Sequence, residues 1–187
     1  MAEDLVGALN ARAWFVYMSS PYMSDLLTTA EALAADGEEA EELLVSAMDR
    51  ALHDFRAYPV TTDLRVWLFR ALVRTYQSPW RRAARWLRRG VSGEGPRPLR
   101  GVVSGSRSEA GQVRAALGQL PARCRVPLVL GDVAGFTYRQ IGEILGVPVG
   151  QVRSRIARAR QALGRLLGVA AARAGTGRIG VHVGAGV

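Results

Sequence analysis

Phe136-Thr-Tyr-Arg-Gln-Ile-Gly-Glu-Ile-Leu-Gly-Val-Pro-Val-Gly-Gln-Val-Arg-Ser-Arg-Ile-Ala-Arg-Ala-Arg160 decides the reading of this chain. Thr137 followed three residues on by Gln140 has the spacing of a capping box. In that motif each side chain satisfies a free backbone N–H of the other. Phe136 and Ile141 occupy the two positions of a hydrophobic staple. Ile141, Ile144 and Leu145 continue an apolar stripe at helical spacing. Gly146 ends that helix, and Pro148 keeps it from continuing. A second helix follows, on which Val152, Ile156, Ala159 and Leu163 form a stripe roughly 60° wide. Gln151, Ser154, Arg155 and Arg158 project away from the stripe, and Arg153 and Arg160 flank its other side. Helix, tight turn and arginine-bearing helix in this order make a helix-turn-helix, whose second helix enters the major groove of duplex DNA. An arginine run alone reads more readily as a solvated helix face. The capping box, staple and Gly-turn-Pro in sequence favour DNA.

Charge supports a division of labour. All 25 basic residues are arginine, and the net charge is +9. Residues 1–60 hold eleven acids against three arginines, a net of −8, and the remainder carries +17. An acidic part suits a basic protein partner and a basic part suits nucleic acid, although the acids also suit a plain soluble surface. The one cysteine, Cys124, excludes an intramolecular disulfide and reads as a small apolar helix residue. His53 and His182 are far apart in the sequence, so neither a metal site nor a catalytic triad is expected, and no cofactor. No signal peptide is recognised, and no apolar run is long enough to cross a bilayer. The cytoplasm, with the nucleoid, is the expected compartment, and no membrane partner is expected.

The first half reads as further helices. Residues 5–18 and 23–35 are two of them, separated by Pro21. Residues 38–58 form a strongly periodic one, with Ala40, Leu43, Leu44, Ala47, Met48, Ala51, Leu52 and Phe55 on one face and Pro59 as its stop. Asp63 caps the next helix, which carries Leu64, Trp67, Leu68, Ala71 and Leu72. Trp80-Arg-Arg-Ala-Ala-Arg-Trp86 is basic and aromatic. Single-stranded nucleic acid is held by stacking on aromatic rings and by arginines that track phosphates. Trp67, Tyr76, Trp80 and Trp86 have the chemistry for this, and burial is the commoner fate of tryptophan. Residues 90–108, rich in Gly, Ser, Pro and Arg, read as a flexible linker. Residues 168–187 hold too little large apolar surface to fold alone. Pro127 falls inside the helix expected after Pro121, which requires either a kink or a later start. The fold class is therefore all-α: two small helical domains, at 1–89 and 109–167, joined by a linker and followed by a tail.

These residues also resemble a family. Leu120-Pro121, Gly135-Phe136-Thr137-Tyr138, Ile141, Leu145-Gly146-Val147-Pro148-Val149-Gly150, Val152-Arg153-Ser154-Arg155 and Arg158-Ala159-Arg160 look like region 4 of the bacterial extracytoplasmic-function (ECF) sigma factors. The pattern covers residues 113–167. The resemblance implies that the second helix reads the −35 promoter element through Gln151, Arg153, Ser154, Arg155 and Arg158, with Thr137, Tyr138 and Arg139 beside it. More weakly, residues 38–89 are similar to region 2 of the same family. Glu39-Ala-Glu-Glu-Leu43 is similar to the acidic start of a helix that binds core RNA polymerase, which implies contacts by Glu41, Glu42 and Asp49. Asp63-Leu-Arg-Val-Trp67 is similar to the helix beside the melted −10 strand. This implies contacts by Arg65, Arg74, Tyr76, Trp80, Arg81 and Arg82. The chain departs from the family at Val45, where glutamine is usual, at Thr75, where asparagine is usual, and at Ser78-Pro79. The function implied is that of a sigma factor that directs core polymerase to promoters, is not itself an enzyme, and is a possible target of an anti-sigma factor. The alternative is a sigma-fold DNA-binding regulator, or an anti-sigma-binding protein, that does not melt promoters.

Overall fold

The computed structural model describes residues 2–59, 61–79, 83 and 109–167. The expectations for Trp80, Arg81, Arg82 and Trp86, for the linker and for the tail fall outside them. The described residues form helices and turns without strands. The chain divides into two compact units, Met1–Gly95 and Pro96–Val187.

In the first unit α1 (Ala2–Ser19) runs into a 3₁₀ turn, Ser20–Tyr22, with Pro21 in its first positions. Proline's fixed φ suits a helix start and denies it an interior place. Next come α2 (Met23–Leu33), α3 (Gly37–Asp54) and α4 (Leu64–Gln77). Asp36 caps α3 by accepting the Glu39 N–H at 2.8 Å, and Asp63 caps α4 through the Arg65 N–H at 2.8 Å. α3 is shorter than its periodicity predicts. It gives way to a 3₁₀ turn, Phe55–Ala57, which turns Phe55 and Tyr58 into an aromatic cluster. Phe55 meets Phe15 edge-on at 5.1 Å, and Trp67 meets Tyr58 edge-on at 5.2 Å. Trp67 is thus a half-buried member of that cluster. The buried face of α4 is wider than the stripe read from sequence, because α4 packs against α1, α2 and α3. Val66, Phe69, Val73 and Tyr76 are buried along with Leu64, Leu68 and Leu72.

In the second unit α5 (Glu109–Gln119) leads through Leu120 and Pro121 to α6 (Ala122–Asp132), and α7 (Tyr138–Leu145) and α8 (Val149–Leu166) follow. Pro127 lies inside α6, so the helix starts early and runs through the proline. The cost is one missing hydrogen bond, opposite the Arg123 carbonyl. Cys124, Val126, Leu128, Val129 and Leu130 bury the remainder of α6 against α7 and α8. Arg125 is buried with them. Its guanidinium donates to the Gly118 carbonyl and, at 3.0 Å, to the Leu120 carbonyl, which fastens the end of α5 to α6. A cation suits the carbonyls at a helix C-terminus.

Candidate nucleic-acid interface

Thr137 is extended and caps α7 with the full reciprocal box. Its hydroxyl oxygen accepts the Gln140 N–H at 3.3 Å, and Gln140 Oε1 accepts the Thr137 N–H at 3.0 Å. Phe136 and Ile141 are buried beneath, as a staple requires. The turn is equally defined. Gly146 has φ +65°, a left-handed conformation that L side chains seldom adopt. The Val147 N–H returns to the Gly142 carbonyl at 3.1 Å. The turn then lies so close over α7 that a Cβ on Gly142 would stand 2.9 Å from the Val147 carbonyl oxygen. Pro148 is the N-cap of α8 and brings no side-chain cap. The first-turn N–H groups of a helix started in this way suit a phosphate oxygen.

α8 presents two sides. Val152, Ile156, Ala159 and Leu163 are buried. Gln151, Arg153, Ser154 and Arg158 are exposed and Arg155 is half-buried. Four of these side chains form a ladder along the helix. Arg155 donates to Gln151 Oε1 at 3.0 Å, Ser154 Oγ to the Gln151 carbonyl at 3.0 Å, and Arg158 to the Ser154 carbonyl at 3.2 Å and its hydroxyl at 3.3 Å. Guanidinia laid along the helix in advance lose less freedom when they meet a ligand. On α7, Arg139 is exposed and pairs with Glu143 at 3.3 Å, an i,i+4 surface pair of small energetic weight. Tyr138 is half-buried at the first position of α7.

Arg160 belongs to the arginine run by sequence, but the fold places it elsewhere. It meets Asp132 of α6 through both carboxylate oxygens, at 2.6 and 3.2 Å. The hydrogen bond to Asp132 holds its proton more tightly than usual. Burial opposes this, and the charge of Asp132 and the phenol of Tyr138 add to it. Neither this pair nor Arg125 is legible as structural in the sequence. One cue exists: within residues 110–167 the only acids are Asp132 and Glu143, and both pair with arginine.

The first unit brings the acidic candidates together. Glu41, Glu42 and Asp49 are exposed on α3, and Val45 stands among them 68% exposed. The Val45 departure therefore alters a surface and leaves the core untouched. Glu39 is different: it is buried, and its carboxylate accepts the Ala35 N–H at 2.9 Å. It serves the start of α3. Of the candidates for a melted strand, Arg74 is exposed in the last turn of α4. Arg65 is turned back on its own unit, 3.1 Å from Asp25 and over the Phe69 ring at 5.4 Å. Tyr76 corrects the stacking expectation. At 3% exposure its ring is core, because α4 has neighbours on several sides, and it offers no face to a base. Thr75 is buried as well, and its hydroxyl has no hydrogen-bond partner among the described residues.

Comparison with known proteins agrees with this geometry. Residues 110–163 match the family described as Sigma-70, region 4. The ECF RNA polymerase sigma factor EcfG of Rhodopseudomonas palustris is 31% identical over 139 residues, covering 74% of this chain and 76% of that protein. The ECF RNA polymerase sigma factor SigE of Mycolicibacterium smegmatis is 33% identical over 138 residues, 70% of this chain and 52% of that protein. Among solved structures, the sigma factor RpoE in complex with the anti-sigma factor NepR, from Bartonella quintana, shares the fold. Its TM-score is 0.68 at 24% identity, covering 83% of this chain and 97% of that one. No described helix is long and apolar enough to cross a membrane.

Proposed function

Because the chain belongs to the ECF RNA polymerase sigma factors, we propose that it brings core RNA polymerase to promoters by laying α8 in the major groove of the −35 element. The observation that carries this is the two-sided α8: a buried apolar stripe, and opposite it the hydrogen-bonded ladder of Gln151, Ser154, Arg155 and Arg158. Arg153, Arg155 and Arg158 supply guanidinia for guanine edges and phosphates. Thr137 and Arg139 lie toward the flanking backbone, with Tyr138 at their side. In the first unit Glu41, Glu42 and Asp49 face a basic surface of core polymerase, with Val45 at their centre. Arg74 follows the −10 strand, together with Trp80, Arg81 and Arg82. An anti-sigma factor competing for these surfaces is a second partner. The chain is not an enzyme; phosphodiester chemistry belongs to the polymerase. Its place of work is the cytoplasm, at the nucleoid.

The test is run-off transcription with purified core polymerase on a library of promoter fragments. Discrete 5′ ends that depend on this chain are expected. Duplex binding without initiation would refute the initiation reading and leave a DNA-binding regulator.

A further inference from the structure

Its partner separates Arg160 from Arg155 and Arg158 on α8. Taking 100° per residue, Arg160 stands about 70° from the centre of the buried stripe, with Arg155 about 70° away on the other side and Arg158 about 130° away. Arg155 and Arg158 bond within α8, to Gln151 and Ser154, whereas Arg160 reaches a carboxylate of another helix. Its side chain is 35% exposed, and the side chain of Asp132, which it grips, is 14% exposed. The pair spans 28 positions of sequence and joins α8 to α6, which itself packs against α7. The fork thus ties the groove helix to the helices that surround the turn.

That tie matters because the rest of the seating of α8 is narrow. Val152, Ile156, Ala159 and Leu163 hold it by apolar contact, which is strong but non-directional. Such a stripe tolerates small rolls of the helix about its axis. A roll of about 10° moves a group about 6 Å from the axis by about 1 Å. Hydrogen bonds to base edges do not survive that displacement, because donor–acceptor distances fall within about 2.7–3.2 Å. Phosphate attraction survives it, since it acts over several ångströms. A two-point fork between guanidinium and carboxylate supplies the missing direction.

We propose that Arg160 is a positioning residue for promoter reading. Through Asp132 it sets the roll of α8, so that it governs discrimination between sequences and not general affinity for DNA. This rests on the reading of α8 as the groove helix. Asp132 then has a role opposite to its charge. An acid near a DNA surface ordinarily weakens binding, yet here its removal should harm specific binding.

The experiment begins by selecting a duplex from a randomised pool with the full-length protein. Affinities for the selected duplex and for a shuffled one are then measured at fixed salt and across a salt series. Arg160→Ala should lower the ratio of selected to shuffled affinity about tenfold, the loss of one bidentate base contact. Affinity for the shuffled duplex and its salt slope should stay the same. Asp132→Ala should lower the ratio similarly, and the double variant should be no worse than either single one. Should Arg160→Ala unfold the unit, judged by lost helical circular dichroism, Arg160→Lys carries the same test, keeping the charge without the fork.

Two outcomes overturn the proposal. In one, Arg160→Ala weakens both duplexes equally and lowers the salt slope by about one, the mark of a phosphate contact. In the other, Asp132→Ala leaves specific binding unchanged or tightens it. Failure of the underlying reading looks different: wild-type protein would select no sequence, and Arg158→Ala would change neither affinity nor ratio.

Discussion

Substitution at Thr137 separates two roles that share one side chain. The Thr137 hydroxyl accepts the Gln140 N–H at 3.3 Å and donates its O–H to Gln140 Oε1 at 2.9 Å, while Gln140 Oε1 also accepts the Thr137 N–H at 3.0 Å. Thr137→Ala deletes the first two and leaves Gln140 held only by the backbone N–H of residue 137. Both residues border solvent, so water replaces part of what is lost. The expected cost is about 1 kcal/mol, in the middle of the range for N-cap removal. α7 has only 8 residues and cannot persist without its cap and its packing, so the loss should appear locally. Amide hydrogen exchange in α7 should speed up about fivefold, the factor that corresponds to 1 kcal/mol. Thr137→Asp restores an equally good cap and adds charge of the sign that a helix N-terminus favours. Its α7 amides should be as protected as in wild type. The new carboxylate would nevertheless face phosphate if this end of α7 flanks the DNA backbone, so duplex affinity should fall at least about tenfold. Unchanged exchange in Thr137→Ala would refute the capping argument. Wild-type duplex binding by Thr137→Asp would refute the orientation of α7 on DNA.

Arg158→Ala should weaken specific duplex binding by about 1–3 kcal/mol at fixed salt; an unchanged dissociation constant would remove α8 from the interface. Arg125→Ala strips the carbonyls of Gly118 and Leu120 of their buried donor and should destabilise the DNA-binding unit by about 2–3 kcal/mol in urea titration. A shift below about 0.5 kcal/mol would contradict its structural role. Tyr58 has its pKa raised above 10.0, first by burial, then by the charge of Asp63 and by Tyr22. A proton held more tightly in the folded state makes stability full below that value and lost as pH rises through the raised one. Urea midpoints compared at about pH 8 and about pH 11 should fall less for Tyr58→Phe than for wild type. Equal losses would mean that Tyr58 is not the group responsible.

What the amino-acid sequence determined by itself is local. The capping box at Thr137, the staple of Phe136 and Ile141, the left-handed Gly146 and the stripe from Val152 to Leu163 involve residues a few positions apart, on elements whose period places them together whatever else the chain does. The caps at Asp36 and Asp63 are of the same kind, and only the second was read. What the tertiary structure decided is the pairing between distant segments: Arg160 with Asp132 and Arg65 with Asp25. An arginine bound for a carboxylate and one bound for a phosphate have the same local signature, because their difference lies in which helix comes to rest opposite. Tyr76 follows the same logic. Its place on α4 was legible, but its burial was not, because burial depends on how many neighbours α4 collects. Thus the helix-turn-helix could be read along the chain, while the division of its arginines between holding the helix and reading DNA arose only when α6, α7 and α8 met.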